Sequence, residues 1–207
     1  MTCSELVVLV RDLILSGAAI TGAVVAIKGL STWQRQLKGQ SEYDLSRRIL
    51  VSLFKYRDAI NGVRHPAMWA YEMPTPPDEE AKGMSRDQIR FYGTSKAYQA
   101  RWDKVQNERT NLYADLLEAE ALWGDELKEL FKVVFDLEHE LFTSIRHYIE
   151  LINPDTNEAS KEAIRNIDKK RRDIMYDDLS DEGDEYKNDF KVGVENIEKY
   201  LKPKLTH

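Results

Sequence analysis

The stretch LILSGAAITGAVVAIKGLSTWQRQLKG, Leu13 to Gly39, changes character halfway. Leu13–Ile27 holds fifteen residues without a charge, and Lys28, Trp33, Arg35 and Lys38 follow. A bilayer-spanning helix needs roughly 20 mostly apolar residues. Extending the stretch back to Leu6 supplies the length but includes Arg11 and Asp12, adjacent residues near one end that can snorkel or pair at headgroup level. Ala18, Gly22 and Ala26 recur at every fourth position, the small-xxx-small spacing of helix packing in membranes. Trp33 stands where an interfacial aromatic belongs, and Lys28, Arg35 and Lys38, with Arg47 and Arg48 behind them, form a basic flank. The expectation is a membrane-spanning helix; its competitor is a helix buried in a soluble bundle with a few charges at one end.

A cleaved signal peptide fits less well. Its leading region is positive, whereas Met1–Val10 contains Glu5 and neither Lys nor Arg, and no A-x-A site precedes the polar region. The positive-inside rule places the basic flank and everything after it in the cytoplasm, with the N-terminus outside: a single-pass anchor.

Charge divides along the same line. The 207-residue chain carries −6 overall, but Lys28–Arg64 carries +5 and the residues after Arg64 carry −10. A basic neck on an acidic body argues against nucleic acid as a partner. The apolar content of 42% supports a packed core, and the 32% charged content a very polar surface. A lone cysteine, Cys3, excludes an intrachain disulfide and any Cys-based metal cluster.

The neck sequence T-W-Q-R-Q-L-K-G (Thr32–Gly39) followed by Y-D-L-S-R-R (Tyr43–Arg48) resembles a group of uncharacterised bacterial membrane proteins. In these, one N-terminal span precedes a T-W-x-x-Q-L-K-G segment, a Y-x-L-x-R-R helix and a coiled-coil-like tail. The resemblance covers about residues 5–66. It implies a bacterial inner-membrane location and no catalytic residue or cofactor.

Beyond the span the expected fold is all-α, an antiparallel helical hairpin or bundle with coiled-coil character. Residues 1–30 read as anchor, 31–64 as basic neck, 65–84 as a proline-rich connection, 85–152 as a long αα-hairpin, and 153–207 as short helices around an acidic loop. Gly39 followed by Ser41 and Asp44 reads as a helix stop and a new cap. Leu45, Ile49, Leu53, Tyr56, Ile60 and Val63 then step by threes and fours along one apolar face. Ser85 with Gln88 is a capping box opening a helix that runs to Trp123, and Gly124-Asp125 permits a turn. Leu127, Phe131, Val134, Leu137, Leu141, Ile145, Tyr148 and Ile152 form the stripe of the return helix. A helix over about Glu158–Met175 and a last one carrying Phe190, Val194, Ile197 and Leu201 complete the chain. Strand-like alternation is absent, so a parallel sheet with its ligand crevices is not expected.

Motifs for chemistry are scarce. No phosphate-binding G-x-x-x-x-G-K-[ST], nucleophile elbow or H-E-x-x-H occurs. Asp136-Leu-Glu-His-Glu140 offers one D-x-x-H where a di-iron bundle needs E-x-x-H from two helices. Asp178–Asp189 resembles a twelve-residue calcium loop but has Glu185 at its apolar position and Asp189 where the bidentate Glu belongs. Lys169–Arg172 is bracketed by Asp168 and Asp173 and reads as an ion-paired helix surface. No metal and no cofactor is expected. The function that fits is a membrane-anchored interaction protein (sensor, adaptor or accessory subunit), with membrane lipid and either a second copy or another protein as partners. The alternatives are a toxin-like membrane effector, or an enzyme with a scattered site drawn from residues such as His65, Glu138 and His139.

One cluster remains. Met68, Trp69, Tyr71 and Met73 lie among the prolines of Arg64–Met84. Large apolar side chains are usually buried, which predicts that they cover the body's own helices near its membrane-proximal end. The functional alternative is a partner-binding surface, where Trp and Tyr are enriched.

Overall fold

A computed structural model describes residues 3–180 and 182–206, with side chains described from Ile14 onward. Cys3, Arg11 and Asp12 therefore have side chains outside the described residues. Every regular element described is helical. In order these are α1 (Cys3–Arg64), a 3₁₀ turn (Ala70–Glu72), α2 (Asp78–Ala81), α3 (Arg86–Trp123), α4 (Glu126–Ile152), α5 (Glu158–Asp168), α6 (Glu185–Leu201) and a closing 3₁₀ turn (Lys202–Leu205).

α1 is one unbroken helix of 62 residues, about 93 Å long at 1.5 Å per residue. The break expected at Gly39 and Ser41 does not occur. A glycine inside a helix costs only about 1 kcal/mol relative to alanine, and good helix formers flank this one. Lys38 and Glu42 approach to 3.8 Å across it. The left-handed glycines are Gly124 and Gly183, not Gly39.

The two halves of α1 differ in surroundings. From Leu45 onward the helix is core: Leu45, Ile49, Leu53, Tyr56 and Ile60 are wholly buried against α3, α4 and α6. Residues 45–64, assigned to the neck by their charge, are thus one wall of the body. From Ile14 to Leu30 every residue is exposed, and the most apolar window of the helix (mean hydropathy 1.6) is 0% buried. The soluble-bundle expectation required that stretch to be covered by the rest of the chain, and it is not. Residues 31–44 join the two halves as a stalk about 21 Å long.

α3 packs most extensively on α1. Arg48 of α1 pairs with Asp115 at 3.1 Å and also with Glu118, which takes it out of the basic flank. α3 also meets α4, through Trp102 with Phe142, Tyr98 with Tyr148 and Lys128 with Glu120. The turn between α3 and α4 uses Gly124 at φ 77°, a conformation costly for any residue with a Cβ. α6 closes the other side of α4, where Gly193 lets the backbones approach: a Cβ there would meet Val134 Cγ2 at 2.9 Å.

α5 stops at Asp168, short of the expected Met175. Ile174 and Met175 are buried in the core instead. The carbonyls of Ile174 and Tyr176 accept from Arg64, so they are used outside any helix.

One polar joint crosses the core. The Tyr56 hydroxyl of α1 donates to Glu138 of α4 at 2.7 Å. Arg109 and Gln106 of α3 donate to the other Glu138 oxygen at 3.0 and 3.4 Å. Burial, and then the neighbouring carboxylate, push the Tyr56 hydroxyl far above its ordinary value, so it remains a donor. Glu138 is 2% exposed and depends on these partners. Replacing it with leucine should cost about 1–3 kcal/mol, mostly for the Tyr56 hydroxyl left unpaired. Tyr56→Phe in the same chain should recover part of that loss. Urea denaturation of the two single variants and the double variant measures the coupling, and strictly additive losses would show that no joint exists.

Candidate functional site

Two exposed regions lie at opposite ends of the body's α1 segment. The first is the stalk and the apolar stretch before it. Lys28, Trp33, Arg35 and Lys38 are all exposed, Trp33 at 56%. Ala18, Gly22 and Ala26 are exposed too, and a Cβ on Gly22 would meet nothing within 4 Å. Two hydroxyls, one within the apolar stretch and one at its edge, turn back onto the helix: Thr21 donates to the Gly17 carbonyl at 2.8 Å and Ser31 to the Lys28 carbonyl at 2.9 Å.

The second region is the proline-rich connection. Because α1 is continuous, Arg64 lies about 50 Å along the helix from Leu30. The connection is therefore at the far end of the body, not the membrane-proximal end expected from sequence. Its aromatic residues are also not folded inward. Met68 packs on the core, whereas Trp69 is 58% exposed, Tyr71 83% and Met73 37%. Pro76 is the buried residue of this segment instead.

Those anchor points come from a buried cation. Arg101 of α3, 7% exposed, donates to the carbonyls of His65 and Ala67 at 2.9 and 2.8 Å. It also grips Glu72 with two bonds, at 3.1 and 2.7 Å. Glu72 in turn accepts from the Trp69 backbone N–H at 2.9 Å, which fixes the 3₁₀ turn. The Arg101 hydrogen bond holds the Glu72 carboxyl below its usual value despite the opposing effect of burial. Gly93 gives the segment room, since a Cβ there would stand 3.3 Å from Met73 Cβ and from the Pro74 carbonyl oxygen. Trp69 and Tyr71 are thus displayed from a secured turn.

Arg64 does the same for the segment before α6. Its guanidinium, 1% exposed, donates to Ile174 and Tyr176 carbonyls and to Asp184 at 2.8 Å, and lies 4.5 Å above the Tyr186 ring. Burial raises the Asp184 carboxyl, but Arg64 and the backbone N–H groups of Lys187 and Asp178 outweigh it and hold the group low. The carboxylate at the heart of the calcium-like stretch is therefore the cap of α6 and the counter-ion of Arg64. Arg172 is likewise committed, gripping Glu140 with two bonds at 2.9 and 2.8 Å and Asp189 at 2.6 Å.

The scattered residues do not assemble. The His65 ring accepts from the Ala67 backbone N–H at 3.2 Å, Glu138 is in the core joint, and His139 is on the surface of α4. Among the described residues no three His, Cys, Asp or Glu side chains are placed to hold a metal ion. A cleft of about 370 Å³ between α4 and residues 168–176 is lined by Tyr148, Arg171 and Tyr176 among others. Burial first, then Tyr176, push the Tyr148 hydroxyl up to about 12. Asp168 and Arg172 in its lining are engaged with His147 and with Glu140 and Asp189, and the Ser144 hydroxyl, also in the lining, donates to the Glu140 carbonyl at 3.2 Å.

Arg64 and Arg101 were missed by sequence reasoning, and Glu138 was read as part of a scattered site, not as a core partner, yet each carries a signal. They fall in phase with buried neighbours four residues away: Ile60, Ala97 with Val105, and Val134. A charge on the apolar stripe of a helix marks a buried partner.

The chain matches no family model, no curated protein and no solved structure.

Trp69→Ala should leave stability within about 0.5 kcal/mol of the parent, as at an exposed position, when measured by thermal or urea unfolding. Arg101→Ala should instead free the turn and make residues 65–84 the first site of limited proteolysis. Protection of that segment in the variant would contradict the anchoring. Acid gives a third readout. Glu72 and Asp184 have depressed values when folded, so their contribution is complete above the unfolded carboxylate range of about pH 4 and is lost as pH falls below it. Loop protection that rises on acidification would contradict these pairs.

Proposed function

We infer that the protein is a membrane-anchored helical interaction protein. The observation that carries this reading is the exposure of the apolar stretch of α1 from Ile14 to Leu30 on a helix that continues, unbroken, into the core. An apolar stretch of this kind left in water is costly at about 25 cal/mol per Å², and a bilayer removes that cost. The self-bonded Thr21 hydroxyl suits hydrocarbon, where unsatisfied polar groups are expensive. Lys28, Arg35 and Lys38 would meet headgroups, with Trp33 at the same level. The positive flank argues for a cytoplasmic body and an N-terminus outside.

In this reading the body is a coiled-coil-like antiparallel assembly held about 21 Å off the bilayer by the stalk. Trp69 and Tyr71, on their secured turn at the distal end, present the kind of side chains that dominate protein interfaces. The protein then acts as a sensor, adaptor or accessory subunit by binding another protein or a second copy, not as an enzyme.

The test is fractionation. The full chain should remain in the membrane pellet after carbonate extraction, and recovery in the soluble fraction without detergent would refute the anchor. For orientation, a cysteine at Glu182, exposed beside Gly183, in a Cys3→Ser chain should react with an impermeant maleimide only after permeabilisation. Labelling in intact cells would place the body outside.

A further inference from the structure

The cleft between α4 and residues 168–176, about 370 Å³, falls within the range of small-molecule pockets, roughly 300–1,000 Å³. Part of its lining is apolar: Leu151 of α4 and the buried Met175, with the rings of Tyr148 and Tyr176. Those two rings stand edge to face with centroids 6.5 Å apart, and Tyr148 also meets the buried Tyr98 of α3 at 5.6 Å. Packing among the three tyrosines forms this wall without a ligand. The charges in the lining are of two kinds. Asp168 and Arg172 are taken up by residues of the body. Arg171 and Asp173 are not: both line the cleft, both are exposed, and neither forms an ion pair among the described residues. Asp173 accepts the Met175 backbone N–H at 3.3 Å through one oxygen, and its second oxygen has no hydrogen bond among the described residues.

We propose that this cleft binds a free amino acid with a large apolar or aromatic side chain, its carboxylate on Arg171, its ammonium on Asp173 and its side chain against Tyr148, Tyr176, Leu151 and Met175. A guanidinium matches a carboxylate with two parallel bonds, and a carboxylate beside aromatic faces suits an ammonium. A ligand of one sign would leave one of the two wall charges unpaired or opposed, whereas a zwitterion satisfies both. Arg171 and Asp173 are two residues apart, at most about 7 Å along the backbone, which suits charges on one α-carbon better than the separated ends of a peptide. The same wall is tied to α1, because Arg64 in the last turn of that helix donates to the Ile174 and Tyr176 carbonyls. A bound amino acid thus supplies a ligand for the sensor role, while the binding itself does not rest on the anchor.

The test is titration of the full chain in detergent micelles, read by saturation-transfer NMR with empty micelles as the blank. The probes are L-phenylalanine, its amide, which lacks the carboxylate, and N-acetyl-L-phenylalanine, which lacks the ammonium. The parent should bind L-phenylalanine saturably, and severalfold more tightly than glycine or either derivative. Arg171→Gln should weaken L-phenylalanine and the N-acetyl probe severalfold and leave the amide unchanged. Asp173→Asn should weaken L-phenylalanine and the amide and leave the N-acetyl probe unchanged. The parent's own ranking of the probes decides the question even where a variant is destabilised. No saturable binding of L-phenylalanine, glycine binding as tightly, or a variant in which all three probes change alike would each overturn the site. Binding by a chain that fractionates as soluble defeats the anchor alone, and a membrane-bound chain that binds none of the probes defeats the site alone.

Discussion

The continuity of α1 is the constraint on which the rest depends. Residues 45–64 cannot enter the core without fixing the direction of residues 14–44, because no turn separates them. Burying one half of the rod therefore holds the other half clear of the body, apolar surface and all. The Tyr56–Glu138 joint and the Arg48 pairs secure the buried half to α3 and α4, and Arg64 at its last turn secures the segment leading into α6. Both loops at the distal end thus take their positions from one helix and from Arg101, which grips the backbone immediately after it.

This arrangement explains why buried charges are tolerated in so small a body. Each replaces a structural element that the loops lack. The connection after α1 has four prolines and little regular structure, so its carbonyls need donors, and Arg101 supplies several at once. Residues 173–184 are in the same position with Arg64. A planar guanidinium with five donors in a fixed fork suits the task better than a lysine would. The cost of burying these cations is offset only while every partner stays in place, which makes the distal end more order-dependent than the apolar core.

Much of the architecture was legible from periodicity alone. The stripe Leu45 to Val63, the Ser85–Gln88 capping box and the stripe Leu127 to Ile145 appear as read, since helix faces and caps are local properties. What was not legible depends on tertiary contact. Gly39 looked like a stop, but a single glycine cannot end a helix whose flanks propagate well. The helix after Glu158 ends early because Ile174 and Met175 are worth more in the core than in a further two turns. Trp69 and Tyr71 were expected inside on the base rate for aromatics, yet Arg101 fixes the turn in a form that faces them outward. The +5 neck counted Arg48 and Arg64 as surface charge, and both are taken up by carboxylates of the acidic body.

The central claim is that one rigid helix links the exposed apolar stretch to the core, and an intramolecular distance tests it most directly. Spin labels at Gln34→Cys and Asp58→Cys, in a Cys3→Ser chain diluted with unlabelled protein in lipid bilayers, bracket Gly39 and the entry into the body. Pulsed dipolar spectroscopy should give a narrow distribution centred near 36 Å between backbones, about 1.5 Å for each intervening residue. A broad distribution, or one centred well below that length, would mean that α1 breaks at the stalk and that its two halves are independent.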